Sequence, residues 1–516
     1  MYKIKLLIMF VAIFAIFGAY SCDDGSLSHD DVYIPDPVEE TDEDDGISAE
    51  PTTTAVIQLQ VGPEYEHQVI DGFGCAFGGW MNSTYCHMQR DAAMEELFGE
   101  TGLRLNICRG AVFEDYINQE TGEFDFGMDR NFNLPPDYPP IINHPDRWVV
   151  ANHLGQMWST DYLLKKHPQV KHFYSTWCPP FEEWKNSNGY FNMDYAQNFT
   201  DYLLEFIKGY KNRLGLDMYA ISPTNEPDSP KMQWGACGWK EADLAKFIHE
   251  YLRPAMNKEG FNDVKIIVGE AAIWSSSIKY AANVLAAEPE LVNDNIIAAG
   301  HGYWASESTI KPYSEYEKQG IPVWLTETCD NLSFDNSWGN AMKWAGQIHT
   351  YLSVANLNAF VWWAGARGTP TGESILQYET STGQWFDYPS LTHWRATKYY
   401  AIGQYSRYIP TGSTRVEAIA IPSEENTFPA NLQVSAYVKE DVYTMVIVNK
   451  STSESFTTLF GVNDESLDFQ NMVSYTSSSN LQLFRKKLNP SESGKRYITV
   501  PAYSIVTVTG KLKNKE

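Results

Sequence analysis

Met218-Tyr-Ala-Ile-Ser-Pro-Thr-Asn-Glu-Pro-Asp228 opens as an apolar, β-rich run and finishes on Asn225-Glu226-Pro227. Val323-Trp-Leu-Thr-Glu-Thr328 repeats the pattern 101 residues later, with Glu327 at its end. Each reads as a strand that delivers a carboxylate to its C-terminal tip, and Pro227 is expected to stop the first of them and hold Glu226 at a rim. Six further runs of this kind flank the pair: Gly72–Phe77, Leu103–Arg109, His172–Trp177, Val264–Glu270, Ile296–Tyr303 and Ala359–Trp363. Amphipathic stretches separate them, notably Tyr195–Leu214, Ala242–Lys258, Ile278–Leu291, Ala341–Ala355 and Trp394–Tyr408. Strands alternating with helices predict a parallel sheet, and a count of eight favours an α/β fold closed as a (β/α)8 TIM barrel. Gly72-Phe-Gly74 lacks the third glycine of a dinucleotide fingerprint, so an open nucleotide-binding sheet is disfavoured.

The barrel is expected over residues 69–410. Beyond Thr411 the helical period gives way to short strands at Glu417–Ile421, Leu432–Val438, Tyr443–Val448, Phe456–Phe460 and Tyr497–Gly510. These predict an attached C-terminal antiparallel β-sandwich over 411–516, joined by an alternating strand within 55–68. Residues 1–21 read as a lipoprotein-type signal peptide: Lys3 and Lys5 precede the apolar run Leu6–Phe17, and Ala19-Tyr-Ser21 leads to Cys22 as the lipidated residue. Residues 22–54 follow as an acidic disordered tether, with eleven acidic residues and no Lys or Arg between Asp23 and Asp45. An exported lipoprotein at the outer membrane or cell surface, monomeric and touching membrane only through its lipid, is the expectation.

The net charge of −26 argues against nucleic-acid binding, which needs a basic face. Six cysteines besides Cys22 show no metal-ligand spacing and are expected mainly as buried free thiols, with room for one disulfide. The histidines are scattered and no His-x-His follows the first strand, so neither a metal nor a cofactor is expected. Active groups of such barrels sit at the C-terminal ends of the strands. Strands four and seven lie nearly opposite each other, so Glu226 and Glu327 can meet over one cleft. Two such carboxyls are what glycosidic cleavage requires: one protonates the leaving oxygen, and the other attacks the anomeric carbon or activates water. Either glutamate alone could equally be an ion-paired scaffold residue; the two together at strand ends favour chemistry.

At these residues the chain resembles glycoside hydrolase family 30. The likeness is carried by Ile70-Asp-Gly-Phe-Gly74, Thr176-Trp-Cys-Pro-Pro180, Tyr219-Ala-Ile-Ser222, Asn225-Glu-Pro-Asp228, Gly300-His-Gly-Tyr303, Trp324-Leu-Thr-Glu327, Val361-Trp-Trp363 and Pro501-Ala-Tyr-Ser504. The resemblance implies a retaining enzyme with Glu226 as acid/base and Glu327 as nucleophile. It further implies Asn225 on the sugar 2-hydroxyl, Tyr303 donating to Glu327, Trp177 and Trp363 walling the cleaved sugar, Arg109 below the nucleophile, and His301 among the substrate-binding residues. For the aromatic residues core packing is the rival reading, and for Arg109 a structural ion pair.

The wording is nearest the bacterial xylanase branch, which implies a β-glycan substrate, foremost β-1,4-xylan. That branch often grips a glucuronic acid side group with an arginine-and-tyrosine loop after strand eight. Here Ala364-Gly-Ala-Arg-Gly-Thr-Pro370 stands instead, with Arg367 at a different spacing. A β-1,6-glucanase and a glucosylceramidase-like β-glucosidase remain the alternatives. More distant ones are an inactive surface glycan-binding protein and a metal-dependent barrel hydrolase.

Overall fold

The structure is a computed structural model that describes residues 55–76, 89–113, 147–232, 235–330, 334–368, 371–378, 393–421, 428–491 and 494–515. The signal peptide, the tether and Cys22 lie outside the described residues.

Eight parallel strands close into a barrel: Gly72–Ala76, Ile107–Val112, Lys171–Thr176, Ala220–Ser222, Lys265–Ile273, Ile296–Tyr303, Val323–Glu327 and Ala359–Trp362. The last strand returns to the first, with Ala359 opposite Gly72 and Trp362 opposite Cys75. Two strands are displaced from their expected spans. Arg104 is left-handed (φ 55°), so the second begins only at Ile107. The fourth ends at Ser222, before Pro223, which lacks a ladder N–H; Pro223 rather than Pro227 is therefore the terminator, and Glu226 stands beyond the strand in a left-handed turn (φ 48°).

Inside the barrel, one end is filled by Ile107, Phe173, Ala220, Ile267, Ile297, Trp324 and Val361, with Trp324 edge-on to Phe173 at 5.8 Å and stacked on Tyr219 at 5.6 Å. Outward-facing residues such as Leu325, Phe360 and Val268 meet the helices. Ala196–Leu214 buries Phe199, Leu203, Phe206 and Tyr210, a three-to-four spacing that forms one stripe. It stops at Gly215, whose left-handed backbone (φ 75°) lets its N–H close on the Lys211 carbonyl. The single helix expected over Ala242–Lys258 is widened into a π segment at Phe247–Leu252; Pro254, just beyond, lacks the N–H that the regular ladder requires. Trp394 belongs to the short strand His393–Arg395, and the helix expected from it starts at Lys398.

The sandwich has a four-stranded and a seven-stranded sheet. Ala55–Leu59 enters the smaller sheet between Ala418–Ile421 and Phe456–Val462, and Glu66–Val69 enters the larger beside Thr414–Val416. The run expected as one strand over Tyr497–Gly510 is two. Pro501 and left-handed Tyr503 (φ 50°) break it, so Tyr497–Val500 stays in the small sheet and Ser504–Asn514 crosses to the large one. Leu467–Ser477, missed in the sequence, carries a bulge at left-handed Asn471 that interrupts its alternation. Lys450 pairs with Glu307 and Gln433 donates to the same carboxylate at 2.9 Å, so the sandwich holds the loop after the sixth barrel strand.

Candidate active site

The open end of the barrel inverts the character of the filled end. Arg109, from the second strand, is fully buried beneath it. Its guanidinium donates to Glu327 Oε2, to Asn225 Oδ1 at 2.7 Å, to Glu270 Oε1 at 3.2 Å and to Ser175 Oγ at 3.3 Å. One cation thus ties together the ends of strands two, three, four, five and seven. Tyr303 donates its hydroxyl to the other oxygen of Glu327, Oε1. Glu327 is thereby held on both oxygens. Asn225 spends its Oδ1 on Arg109, which leaves its amide N–H group to face the cavity.

His301 stands between the carboxylates. Its Nδ1 is 3.2 Å from Glu226 Oε1 and 3.8 Å from Glu327 Oε1, and its Nε2 is 3.8 Å from Glu270 Oε1. Burial opposes the imidazolium, but the Glu327 charge, the Glu226 hydrogen bond and the Glu270 carboxylate outweigh it and push the group up to about 9. Burial likewise works against the Glu270 carboxylate, yet the Arg109 charge and His301 bring it down to about 2. Tyr303 is driven well above its usual range by burial and then by the Glu327 charge, so it remains a donor.

One oxygen of Glu226, one of Glu327 and a ring nitrogen of His301 all lie within 4.8 Å of one another. This is the one group of potential metal ligands among the described residues, and its electrostatics suit a proton-transfer site. Arg109 already occupies Glu327, and a His301 that holds its proton has no lone pair to offer a metal. Above the pair lies a cavity of about 480 Å³ lined by Trp177, Asn225, Glu226, Met232, Ala272, Tyr303, Trp304, Glu327, Trp363, Arg367 and Glu373. The rings of Trp177 and Trp363 are 6.1 Å apart, and Arg109 sits over Trp177 at 4.7 Å. Two carboxyl groups this close can serve as proton donor and attacking group toward one acetal carbon.

All eight residues singled out in the barrel sequence therefore converge: six line the cavity, and Arg109 and His301 lie beneath it. Glu270 was missed. It ends the apolar run Val264–Glu270, and the question that found the other glutamates would have found it too; its left-handed backbone (φ 62°) is invisible in sequence. The five described cysteines, Cys75, Cys108, Cys178, Cys237 and Cys329, are buried free thiols, and Cys86 lies outside the described residues. No described helix is long and apolar enough to cross a membrane.

The family model for glycosyl hydrolase family 59 matches residues 154–379, a span that includes both carboxylates. The lysosomal acid glucosylceramidase of Mus musculus is 22% identical over 479 residues, covering 86% of each chain. A solved family 30 subfamily 8 xylanase from Clostridium acetobutylicum superposes with a TM-score of 0.64 at 23% identity, over 88% of this chain and 99% of that one. An endo-β-1,6-glucanase superposes at 0.61 with 17% identity, over 90% and 95%. These structural likenesses show the shared fold, a barrel with an attached sandwich. With the curated relative and the matched family model, they make the chain a glycoside hydrolase that shares its fold with solved members of family 30.

Proposed function

We propose that the protein is a retaining endo-hydrolase of β-1,4-xylan, with Glu226 as general acid/base and Glu327 as nucleophile. The observation that carries this reading is that one oxygen of Glu226 and one of Glu327 lie within 4.8 Å of each other beneath one cavity, which supports a close pair of carboxyl groups. A water placed for direct attack needs carboxyl groups about 6.5–9.5 Å apart, whereas about 5–5.5 Å suits a covalent glycosyl-enzyme. Arg109 and Tyr303 donate to both oxygens of Glu327 and so fix the orientation of the attacking carboxylate. Glu226 faces His301 and the cavity, where it protonates the leaving oxygen and then activates the water that releases the sugar. Asn225 offers its amide to the 2-hydroxyl, and Trp177 and Trp363 flank the sugar ring.

The choice of xylan is supported by the likeness to the solved xylanase and by an open cavity walled with aromatic rings. Arg367 bears on side groups. Its guanidinium already pairs with Glu373, and both line the cavity. A glucuronate would meet a compensated arginine and a fixed carboxylate, so cleavage independent of glucuronic acid is expected. The test is a product profile on xylans with and without glucuronic acid and on β-1,6-glucan, beside Glu327→Gln. The wild type should cut both xylans, release the β-anomer first and lose at least about 10⁴-fold in kcat in the variant, which removes the attacking group. Cleavage of β-1,6-glucan alone would favour the glucanase reading, for which the second solved likeness speaks. A Glu327→Gln variant that keeps most of its activity would remove the mechanism.

A further inference from the structure

On one side the β-sandwich ends in two sheet edges. Among the described residues, Phe484–Lys487 is the outermost strand of the seven-stranded sheet and Tyr497–Val500 that of the four-stranded sheet. A second cavity, of about 270 Å³, is lined by these two strands and their neighbours. The larger sheet contributes the hydroxyls of Ser474 and Thr476, in register with Lys486 and Phe484. The smaller sheet contributes Thr457 and Thr499, whose hydroxyls lie 3.0 Å apart. Buried Leu488 and Ile498 supply an apolar part of the lining, and the Phe484 side chain is 37% exposed there.

The charge of this edge runs against the rest of the chain. The protein has 65 acidic and 39 basic residues, yet residues 485–496 hold Arg485, Lys486, Lys487, Lys495 and Arg496 against Glu492 alone. Arg496 is turned to Asp468, at 3.5 Å. Lys487 is exposed, lines the cavity and forms no ion pair among the described residues. Lysines on an edge strand also discourage pairing with another chain, but that role needs neither an exposed ring nor a cavity. A ring that can cover C–H groups, hydroxyls from two sheets and an ammonium group around one recess suit a sugar that carries a carboxylate. A membrane surface or a nucleic acid calls for an extended basic face, which a recess in a chain of net charge −26 does not offer.

We propose that this cleft in the sandwich binds a glycan bearing uronic acid groups, with Phe484 against a sugar ring and Lys487 on the carboxylate. The cleft is built from the sandwich alone, and its binding does not depend on which bond the barrel carboxylates cleave. In the barrel cavity Arg367 is taken up by Glu373, so the sandwich supplies a cation for acidic groups that the barrel does not.

The test uses the full chain carrying Glu327→Gln, run in native gels that contain glucuronoxylan or the same polymer with its carboxyl groups reduced to alcohols; retardation gives a dissociation constant for each. Glucuronoxylan should bind about threefold to fivefold more tightly than its reduced form, the scale of one exposed charge contact. Lys487→Ala should abolish this preference and Lys487→Arg should keep it. Phe484→Ala should weaken binding to glucuronoxylan about fivefold, the scale of one aromatic contact. Trp363→Ala, in the barrel cavity, should leave the preference unchanged. Both sandwich positions are exposed, so melting temperatures should not move, and in the chain with Glu327 intact neither alanine variant should alter hydrolysis of para-nitrophenyl β-xylobioside. Equal binding of the two polymers, or a preference that survives Lys487→Ala, overturns the site and leaves the catalytic reading untouched. Loss of the preference in Trp363→Ala would move acid recognition into the barrel. Phosphatidylglycerol vesicles that capture the parent but not Lys487→Ala, while the two polymers bind equally, would assign the basic edge to a membrane surface instead.

Discussion

The two ends of the barrel interior are equally buried and chemically opposite. At one end Trp324, Phe173, Ile267 and Val361 fill the space with rings and branched chains. At the other, only three residues beyond Trp324 on the same strand, Glu327 joins Arg109, Glu226, Glu270 and His301 in a dense ionisable cluster. Burial alone does not distinguish them. The first end gains free energy from packing, while the second carries desolvated charges whose mutual compensation is costly to disturb. A barrel of this kind separates stability from chemistry along its axis.

That separation can be broken deliberately. Arg109→Ala should show the largest effect, because it leaves Glu270 and Glu327 buried without their cation: a stability loss of about 3–5 kcal/mol by denaturant unfolding, and near-complete loss of turnover. A variant that unfolds normally and stays active would deny the cluster its role. Trp324→Ala, at the filled end, should cost a similar or smaller amount, about 3–5 kcal/mol, through the cavity it opens. The fraction that remains folded should keep kcat within a few-fold; a large fall in kcat would mean that the two ends are coupled.

The smallest effect is a pH dependence. His301 is raised from its usual 6.5 to about 9 in the folded state, so its contribution is complete below pH 6.5 and disappears as pH rises through 9. Against His301→Gln, the wild type should lose on the order of 1–3 kcal/mol of relative stability across that window. Glu270 has the opposite sign: its folded value is depressed to about 2, so its contribution is complete above about 4.5 and fades as pH falls toward 2. Parallel pH profiles for the wild type and His301→Gln would contradict the assigned charge on the imidazole.

Much of this contrast was legible in the sequence. All eight barrel strands could be read because parallel strands buried on both faces are near-continuous apolar runs. Their tips stood out because a Glu or Asn ending such a run is costly unless it has a task. The errors came from backbone states that residue type announces poorly. Left-handed Arg104 delayed the second strand, Pro223 cut short the fourth, and Pro501 with left-handed Tyr503 divided the last sandwich run. Glu270 passed as an ordinary strand end although it closes an apolar run as Glu327 does; its partner His301 is on the neighbouring strand, and its other partner, Arg109, comes from the second strand across the barrel. Trp304 had no signal beyond its type; its exposure and left-handed turn belong to the folded chain.

The account stands most directly on which carboxylate bonds to the sugar. Incubation with a 2-deoxy-2-fluoro β-glycosyl donor bearing a good leaving group, followed by proteolysis and mass mapping, reads this in one step, because the fluorine slows release of the glycosyl-enzyme. A single glycosyl adduct on the peptide at Glu327 is the predicted result. An adduct on Glu226 or Glu270, or full turnover of the donor with inverted product and no adduct, would contradict it.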